Sequence, residues 1–596
     1  LTGSGIENLT INNLGAIGTV HLNTMNGDAI IDYTVASMAG TTDDLAFDLD
    51  SISSDATIQL TKSATTTNTI ETVSIDSGSQ ANTLADLQTT GVGAVKLEFT
   101  GSENLTIAAA LDAEIITIDG SSATGGLVLS TQLVTTVATT IDFGSGNDSV
   151  TTADVINTIT AGGGDDTIVA GTGNDVISGG AGNDSITAST GTDSITGGAG
   201  NDIISFATAA LTLLDTVTGG AGTDTLAMGA GNFSVSDANY VNVTGIDEIR
   251  VTSTAARTVT VTDVVVGASD SDSLTIDVAT AGTNAVDVSA AVSAENTVYL
   301  GITDVNTWTL ADVNNRVTLA DVADTSGSTA GIADETGLTV VDGSANDTIT
   351  GSGASDSITL SGNGNNLVTG GGGADTITAG AANDNISGGA GNDTFSFGAG
   401  ATNLAAADTV TGGAGTDTIA VGAGNFAVSD ANLANVSGVD EITVANAANR
   451  TITLTDAFVG SSDSDTVTVN STVAATGSIT VNAAVSAANT VILGVVDDDE
   501  YVLGNVNNRV TLGTNPDSGT NGTADELGGA VVDGSGNDTI TGSEGRDSIT
   551  LSGNGNNVVS AGTGNDTVTA GSGNDSIAGG AGNDTFSFGA GATNLA

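Results

Sequence analysis

Cysteine is absent from the 596 residues, so neither a disulfide framework nor a thiolate metal site can hold this chain together. Histidine occurs once, at His21 in a strand-like run, which excludes a His-Glu-x-x-His zinc helix and leaves no second imidazole for acid–base work. No Gly-x-Ser-x-Gly turn exposes a nucleophilic serine. Aromatic residues are 3% of the chain, too few for a sugar-stacking surface, and nothing singles out a catalytic pair among the carboxylates. No run of about 18 apolar residues occurs, so no transmembrane helix is expected. Basic residues are also scarce: eight Lys and Arg stand against 70 Asp and Glu, a formal net charge of -62. Neutralising phosphate needs Lys and Arg, so nucleic acid is not an expected partner and divalent cations are. These deficits predict a protein that is not an enzyme.

What the chain does contain is glycine, 84 residues of it, and 39% hydrophobic residues dominated by Val, Ile, Leu and Ala interleaved with Thr. So lopsided a charge would suit a disordered segment, but that much apolar surface can be buried, and its β-branched composition predicts strands. The strongest signal is a nine-residue period. From Asp148 the same position recurs at Asn157, Asp166, Asp175, Asp184, Asp193 and Asp202. The clearest units are Gly179-Gly180-Ala181-Gly182-Asn183-Asp184 and Gly197-Gly198-Ala199-Gly200-Asn201-Asp202. Two residues after each Asp comes one large apolar residue: Ile168, Ile177, Ile186, Ile195, Ile204. Each unit therefore reads as a Gly/Asp turn followed by a three-residue strand with its middle side chain inward.

The unit returns at Asp347, Asp356, Asp375, Asp384 and Asp393, again at Asp538, Asp547, Asp566, Asp575 and Asp584, and in pairs at Asp215/Asp224 and Asp408/Asp417. A longer repeat of about 190 residues contains these blocks. Gly391-Asn392-Asp393-Thr394-Phe395-Ser396-Phe397 reappears as Gly582-Asn583-Asp584-Thr585-Phe586-Ser587-Phe588, and Asn314-Asn315-Arg316-Val317 as Asn507-Asn508-Arg509-Val510. The predicted organisation is a β-rich segment 1–143, blocks 144–206, 343–397 and 534–596, and β-rich segments 207–342 and 398–533 between them. Segment 1–143 is expected to form one short strand per coil, and the Phe395/Phe397 and Phe586/Phe588 pairs to cap the apolar interior at block ends. The opening residues Leu1–Ile11 echo Phe99–Ile107, so the sequence is expected to be a piece of a longer polypeptide.

A three-residue strand cannot bury its apolar side alone, so successive units must stack into a solenoid. If two units make one coil, the Asp side chains along an edge lie about 4.8 Å apart. Unit charges at that spacing repel by about 0.9 kcal/mol in water and several-fold more beside protein. Such a column opens unless cations lie within it. Carboxylates and carbonyls in a flexible turn are hard oxygen ligands that suit Ca²⁺, and no nitrogen or sulfur set is offered to a transition metal. The candidate ligands are Asp148, Asp166, Asp175, Asp184, Asp193, Asp202, Asp224, Asp347, Asp356, Asp375, Asp384, Asp393, Asp417, Asp538, Asp547, Asp566, Asp575 and Asp584. Asn157, Asn366 and Asn557 replace the carboxylate, so their sites are expected to be weak or empty.

These nonapeptides resemble those of the repeats-in-toxin (RTX) proteins, and the resemblance implies an all-β fold of parallel β-roll blocks in which each Ca²⁺ lies between adjacent turns. The Thr/Val-rich segments between them are expected to be solenoid- or sandwich-like. In composition and in phrases such as Glu103-Asn104-Leu105-Thr106-Ile107, the chain is further similar to RTX-type bacterial surface-layer proteins. That likeness implies a secreted, self-assembling surface or filament subunit, exported by a type I system, with calcium and its own copies as partners and any envelope anchor outside this sequence. The alternatives are the stalk of a giant RTX adhesin or the carrier region of an RTX exoenzyme.

Overall fold

The computed structural model describes residues 2–588 apart from short stretches, the longest being 34–42, 131–137, 229–239, 279–285, 320–335, 472–478 and 514–526. The described chain is all-β, with two single helical turns at Asp430–Leu433 and Asp456–Val459. It divides into two compact units, Leu1–Asn284 with Val292–Tyr299 and Ala285–Ala291 with Leu300–Ala596. Each unit is a parallel β-solenoid.

In the first unit, Asn157–Gly163, Val176–Ala181, Ser194–Ala199 and Thr216–Ala221 stack in one sheet. Thr167–Val169, Ser185–Ala188, Ile203–Phe206 and Thr225–Met228 stack in another. Ile159 pairs with Ile177 and Ile177 with Ile195, while Ile168 pairs with Ile186 and Ile186 with Ile204. That register is 18 residues per coil, two nonapeptides, one strand in each sheet. The five Ile residues predicted to point inward are all buried. Stacking one branched residue on its own kind at every coil gives each sheet a continuous apolar seam and excludes water from between them.

Glycine makes the coil corners. Gly162, Gly180, Gly198 and Gly220 stack at positive φ (95°, 114°, 130° and 125°). A Cβ on Gly180 would strike the carbonyl of Gly162 one coil earlier. Both the backbone sign and the space therefore require glycine there.

The intervening stretches continue the same stacking as solenoid coils. In unit 1, Thr225–Met228 pairs in register with Glu248–Val251, and that strand with Ser273–Val278. In unit 2, Thr394–Phe397 runs through Thr418–Val421 to Glu441–Val444 and Thr466–Ser471. These coils are longer: Ile249 pairs with Ile276 and Ile442 with Val469, steps of 27 residues. Segment 1–143 departs from the expected single strand per coil. The coil from Thr72 carries Thr72–Ser77, Asn82–Leu84 and Asp86–Gln88, because a coil of 24 residues needs extra sides to close. The first phenylalanine pair corrects the capping expectation. Phe395 pairs with Ile377 and Ile419 and is buried with Phe397, since coils continue beyond it. Phe586 and Phe588, in the last described strand, are 42% and 47% exposed. His21 is exposed on its strand and bonded to Asp48 (2.6 Å), as a surface strand residue should be.

Candidate metal centres along the coil edges

Each nonapeptide Asp lies where its turn enters the strand, its side chain turned inward along the coil stack. The backbone N–H of Asp148 donates to Oδ1 of Asp166 (2.7 Å), and Asp166 to Asp184, Asp184 to Asp202 and Asp202 to Asp224 likewise (each 2.8 Å). A second column runs from Asn157 to Asp175 (2.7 Å), Asp193 (2.9 Å) and Asp215 (2.8 Å). Unit 2 repeats both. Asp356, Asp375, Asp393 and Asp417 form one column, and Asn315, Asp347, Asn366, Asp384 and Asp408 the other. Further on, Asp547, Asp566 and Asp584 align, as do Asn508, Asp538, Asn557 and Asp575. All eighteen candidate aspartates fall into these columns.

One carboxylate oxygen is thereby used, and the other decides what the site can hold. Oδ2 of Asp148, Asp166, Asp175, Asp184, Asp202, Asp375, Asp384, Asp393, Asp538 and Asp566 is buried with no hydrogen-bond donor among the described residues. A buried anionic oxygen without a partner is costly unless a cation or proton meets it. Burial itself pushes these carboxyls up. Asp166 rises to about 8, with the carboxylates of Asp148, Asp184 and Asp165 adding to the desolvation. Asp375 rises to about 7, and Asp148, Asp184 and Asp193 to about 6, from the same cause.

The first glycine of the turn lets oxygens of adjacent coils approach one another. A Cβ on Gly179 would touch Oδ2 of Asp184 and come 2.6 Å from the carbonyl oxygen of Gly197, one coil on. Gly370 faces Asp375 Oδ2 and the Gly388 carbonyl, and Gly388 faces Asp393 Oδ2 and the Gly412 carbonyl, in the same way. A carboxylate oxygen and a carbonyl oxygen from the next coil thus lie side by side at each such glycine. Among the described residues no three acidic or histidine side chains converge on one point. An ion here would draw on one or two carboxylates and be completed by carbonyls, a hard-oxygen set that fits Ca²⁺.

Some candidates have other partners. Asp356 Oδ2 accepts from the N–H and hydroxyl of Ser352 (2.7 and 2.9 Å). Asp547 is likewise held by Ser543, whose N–H donates to Oδ2 (2.6 Å) and whose hydroxyl donates to Oδ1 (2.9 Å). In both turns Ser stands where the best units have their second Gly. Asp215 and Asp408, the first members of the isolated pairs, turn Oδ2 back to Thr212 and Ala405. The sequence reading missed Asp247 and Asp440, which extend two columns by accepting from the N–H of Asp224 (3.0 Å) and Asp417 (3.1 Å). It also missed Asn315 and Asn508 as column members. Their signal was present, since each stands two residues ahead of an inward residue, as in Asp247/Ile249 and Asn315/Val317. An outer ladder was missed as well. At many turns the residue before the Asp bonds coil to coil, as where Asn201 N–H donates to Asn183 Oδ1 (2.8 Å).

The RTX calcium-binding nonapeptide repeat, as a four-copy profile, matches residues 144–177, 151–186, 178–207, 215–232, 339–362, 360–395, 404–425, 531–553 and 551–586. Those stretches hold all eighteen candidate aspartates, while Asp247, Asn315, Asp440 and Asn508 lie outside them. No curated protein matches the chain.

Proposed function

From a chain that carries RTX calcium-binding nonapeptide repeats, we propose a structural, calcium-stapled protein of the bacterial cell surface that assembles with its own copies into a lattice or filament. The observation that carries this reading is the set of buried carboxylate oxygens without donors, repeated coil after coil. Such a stack is self-repelling without calcium and rigid with it. At millimolar extracellular calcium the sites fill, while in a calcium-poor cytosol the blocks stay open and can be threaded through a type I secretion channel. At a net charge of -62, calcium-free chains repel one another. Bound ions cancel part of that charge and fix the coil edges, lowering the ordering cost of docking copy on copy. The chain acts as a scaffold and not as an enzyme. Light scattering and negative-stain microscopy across a calcium titration test the proposal: ordered sheets or filaments are expected above the folding transition. Monodisperse chains at saturating calcium would contradict it. They would favour the second reading, an adhesin stalk, which the tandem repeat of Asn314–Val317 at Asn507–Val510 supports.

A further inference from the structure

Asparagine stands in the aspartate columns at fixed places, and its second terminal atom behaves unlike that of Asp. In both residues the Oδ1 atom accepts the N–H of the preceding column member: Asp347 N–H donates to Asn366 Oδ1, and Asp538 N–H to Asn557 Oδ1 (both 2.8 Å). That bond fixes which terminal atom is oxygen. The remaining atom, Nδ2, then occupies the place where Asp carries its unpartnered Oδ2.

There the amide finds acceptors. Asn157 Nδ2 donates to the Val155 carbonyl (2.7 Å) and to Asp175 Oδ1 (3.0 Å). Asn508 Nδ2 donates to the Val506 carbonyl (3.0 Å) and Asp538 Oδ1 (2.9 Å). Asn366 Nδ2 reaches the Gly364 carbonyl (3.3 Å) and Asp342 Oδ2 (3.0 Å). Asn557 Nδ2 reaches Asp533 Oδ2 (2.9 Å) and Asp575 Oδ1 (3.1 Å). The partners are carbonyl and carboxylate oxygens, the same chemical type that lies beside the aspartate Oδ2 atoms; Asp175, Asp538 and Asp575 belong to the columns, and Asp342 and Asp533 do not. Both copies of the long repeat contain the same arrangement, Asn366 on Asp342 and Asn557 on Asp533.

We propose that the amides of Asn157, Asn366, Asn508 and Asn557 do the ion's work at their own coils, binding carbonyl and carboxylate oxygens with N–H donors where Asp coils need Ca²⁺. The second and third blocks then have two unlike edges. Along Asp356, Asp375, Asp393 and Asp417 every column member is a carboxylate, and calcium loads at Asp375 and Asp393, whose Oδ2 atoms have no donor. Along Asn315, Asp347, Asn366, Asp384 and Asp408, Asn alternates with Asp up to Asp384, and the Asn366 coil closes without metal. The amide coils stay locally ordered in calcium-free protein and template the acid edge when calcium arrives. This rests on the calcium reading above.

The test uses the full chain with Asn366→Asp and Asn557→Asp combined. Bound calcium is counted by equilibrium dialysis, and hydrogen exchange is followed by mass spectrometry in protein dialysed free of calcium. Wild-type amides at 367–369 and 558–560 are expected to exchange more slowly without calcium than those at 376–378. The double variant should lose that local protection and bind about two more ions at saturation. An unchanged ion count with unchanged calcium-free protection overturns the proposal. Should the double variant fail to fold even with calcium, the reverse change decides. Asp375→Asn should bind fewer ions and gain calcium-free protection at Thr376–Thr378, and no gain overturns the proposal. Full wild-type protection of every block without calcium would instead overturn the calcium reading itself, a result distinguishable from the others.

Discussion

The nonapeptide coils and the coils between them share a sheet register yet are held by different forces. A block strand such as Val176–Ala181 buries one large side chain, Ile177, then turns on glycine. The intervening strand Arg450–Thr455 buries Ile452 and Leu454, and its neighbour Ile479–Ala484 buries Ile479, Val481 and Ala483. Each fully buried Ile or Leu contributes about 1.5–3 kcal/mol, so the intervening strand gains about twice as much from its interior. Block turns add buried carboxylates, which oppose folding until neutralised; the strand pair at Arg450–Ala484 has none among its buried residues. The difference teaches that one solenoid can combine coils that close on apolar area with coils that close on ions.

The largest expected contrast is at the columns themselves. Asp184→Ala removes a buried acceptor, leaves the Asp166 N–H unmet and deletes the Oδ2 atom offered to calcium; a loss of about 3 kcal/mol in the calcium-loaded block is expected. Asp55→Ala, at an exposed turn in the first segment, should stay within about 0.5 kcal/mol. Equal shifts in calcium-dependent melting would erase the distinction between the two kinds of coil.

Acidification should separate the regions next. Asp166, Asp375 and Asp184 have folded-state values raised to about 8, 7 and 6, well above that of an unfolded Asp. Their contribution is fully present below about pH 4 and is lost as pH rises towards 8. Calcium-free blocks should therefore melt at higher temperature at pH 5 than at pH 8, whereas the intervening coils should shift little. Thermal melts of dialysed protein, without a chelator whose affinity follows pH, read this directly. A block transition that falls on acidification would refute it.

Gly180→Ala places a Cβ against the Gly162 carbonyl at positive φ, at a cost of about 1–3 kcal/mol. Gly18→Ala, with nothing within 4 Å, should be near neutral. The smallest effect is expected for the outer ladder. Asn183→Ala removes one exposed bond to Asn201, about 0.5–1 kcal/mol by chemical denaturation, and a larger loss would mean that this ladder carries more than turn geometry.

The sequence made the coil plain because its period is short and its inward position is always two residues after Asp. Ile168, Ile177 and Ile186 marked the inward side chain, and the structure supplies the two units per coil, one strand in each sheet, that the sequence had left as a condition. Longer coils hid their register, because a 24- or 27-residue turn can close on two or three sides and no fixed spacing marks them; hence the missed strands after Thr72. The columns were legible where Asp repeated every nine residues. Asp247, Asp440, Asn315 and Asn508 escaped because the coil before them is long and the count is broken. The serine clasps on Asp356 and Asp547 were invisible because they depend on one Gly-to-Ser change whose effect is geometric.

The central claim, that ions close the blocks and apolar burial closes the rest, is tested most directly by region-resolved hydrogen exchange across a calcium titration. The account predicts that amides in 176–204, 376–396 and 567–569 gain protection steeply at about millimolar calcium, while those in 450–455 and 479–484 are already protected without it. Protection that rises together in all five regions, or does not respond to calcium in any, would contradict it.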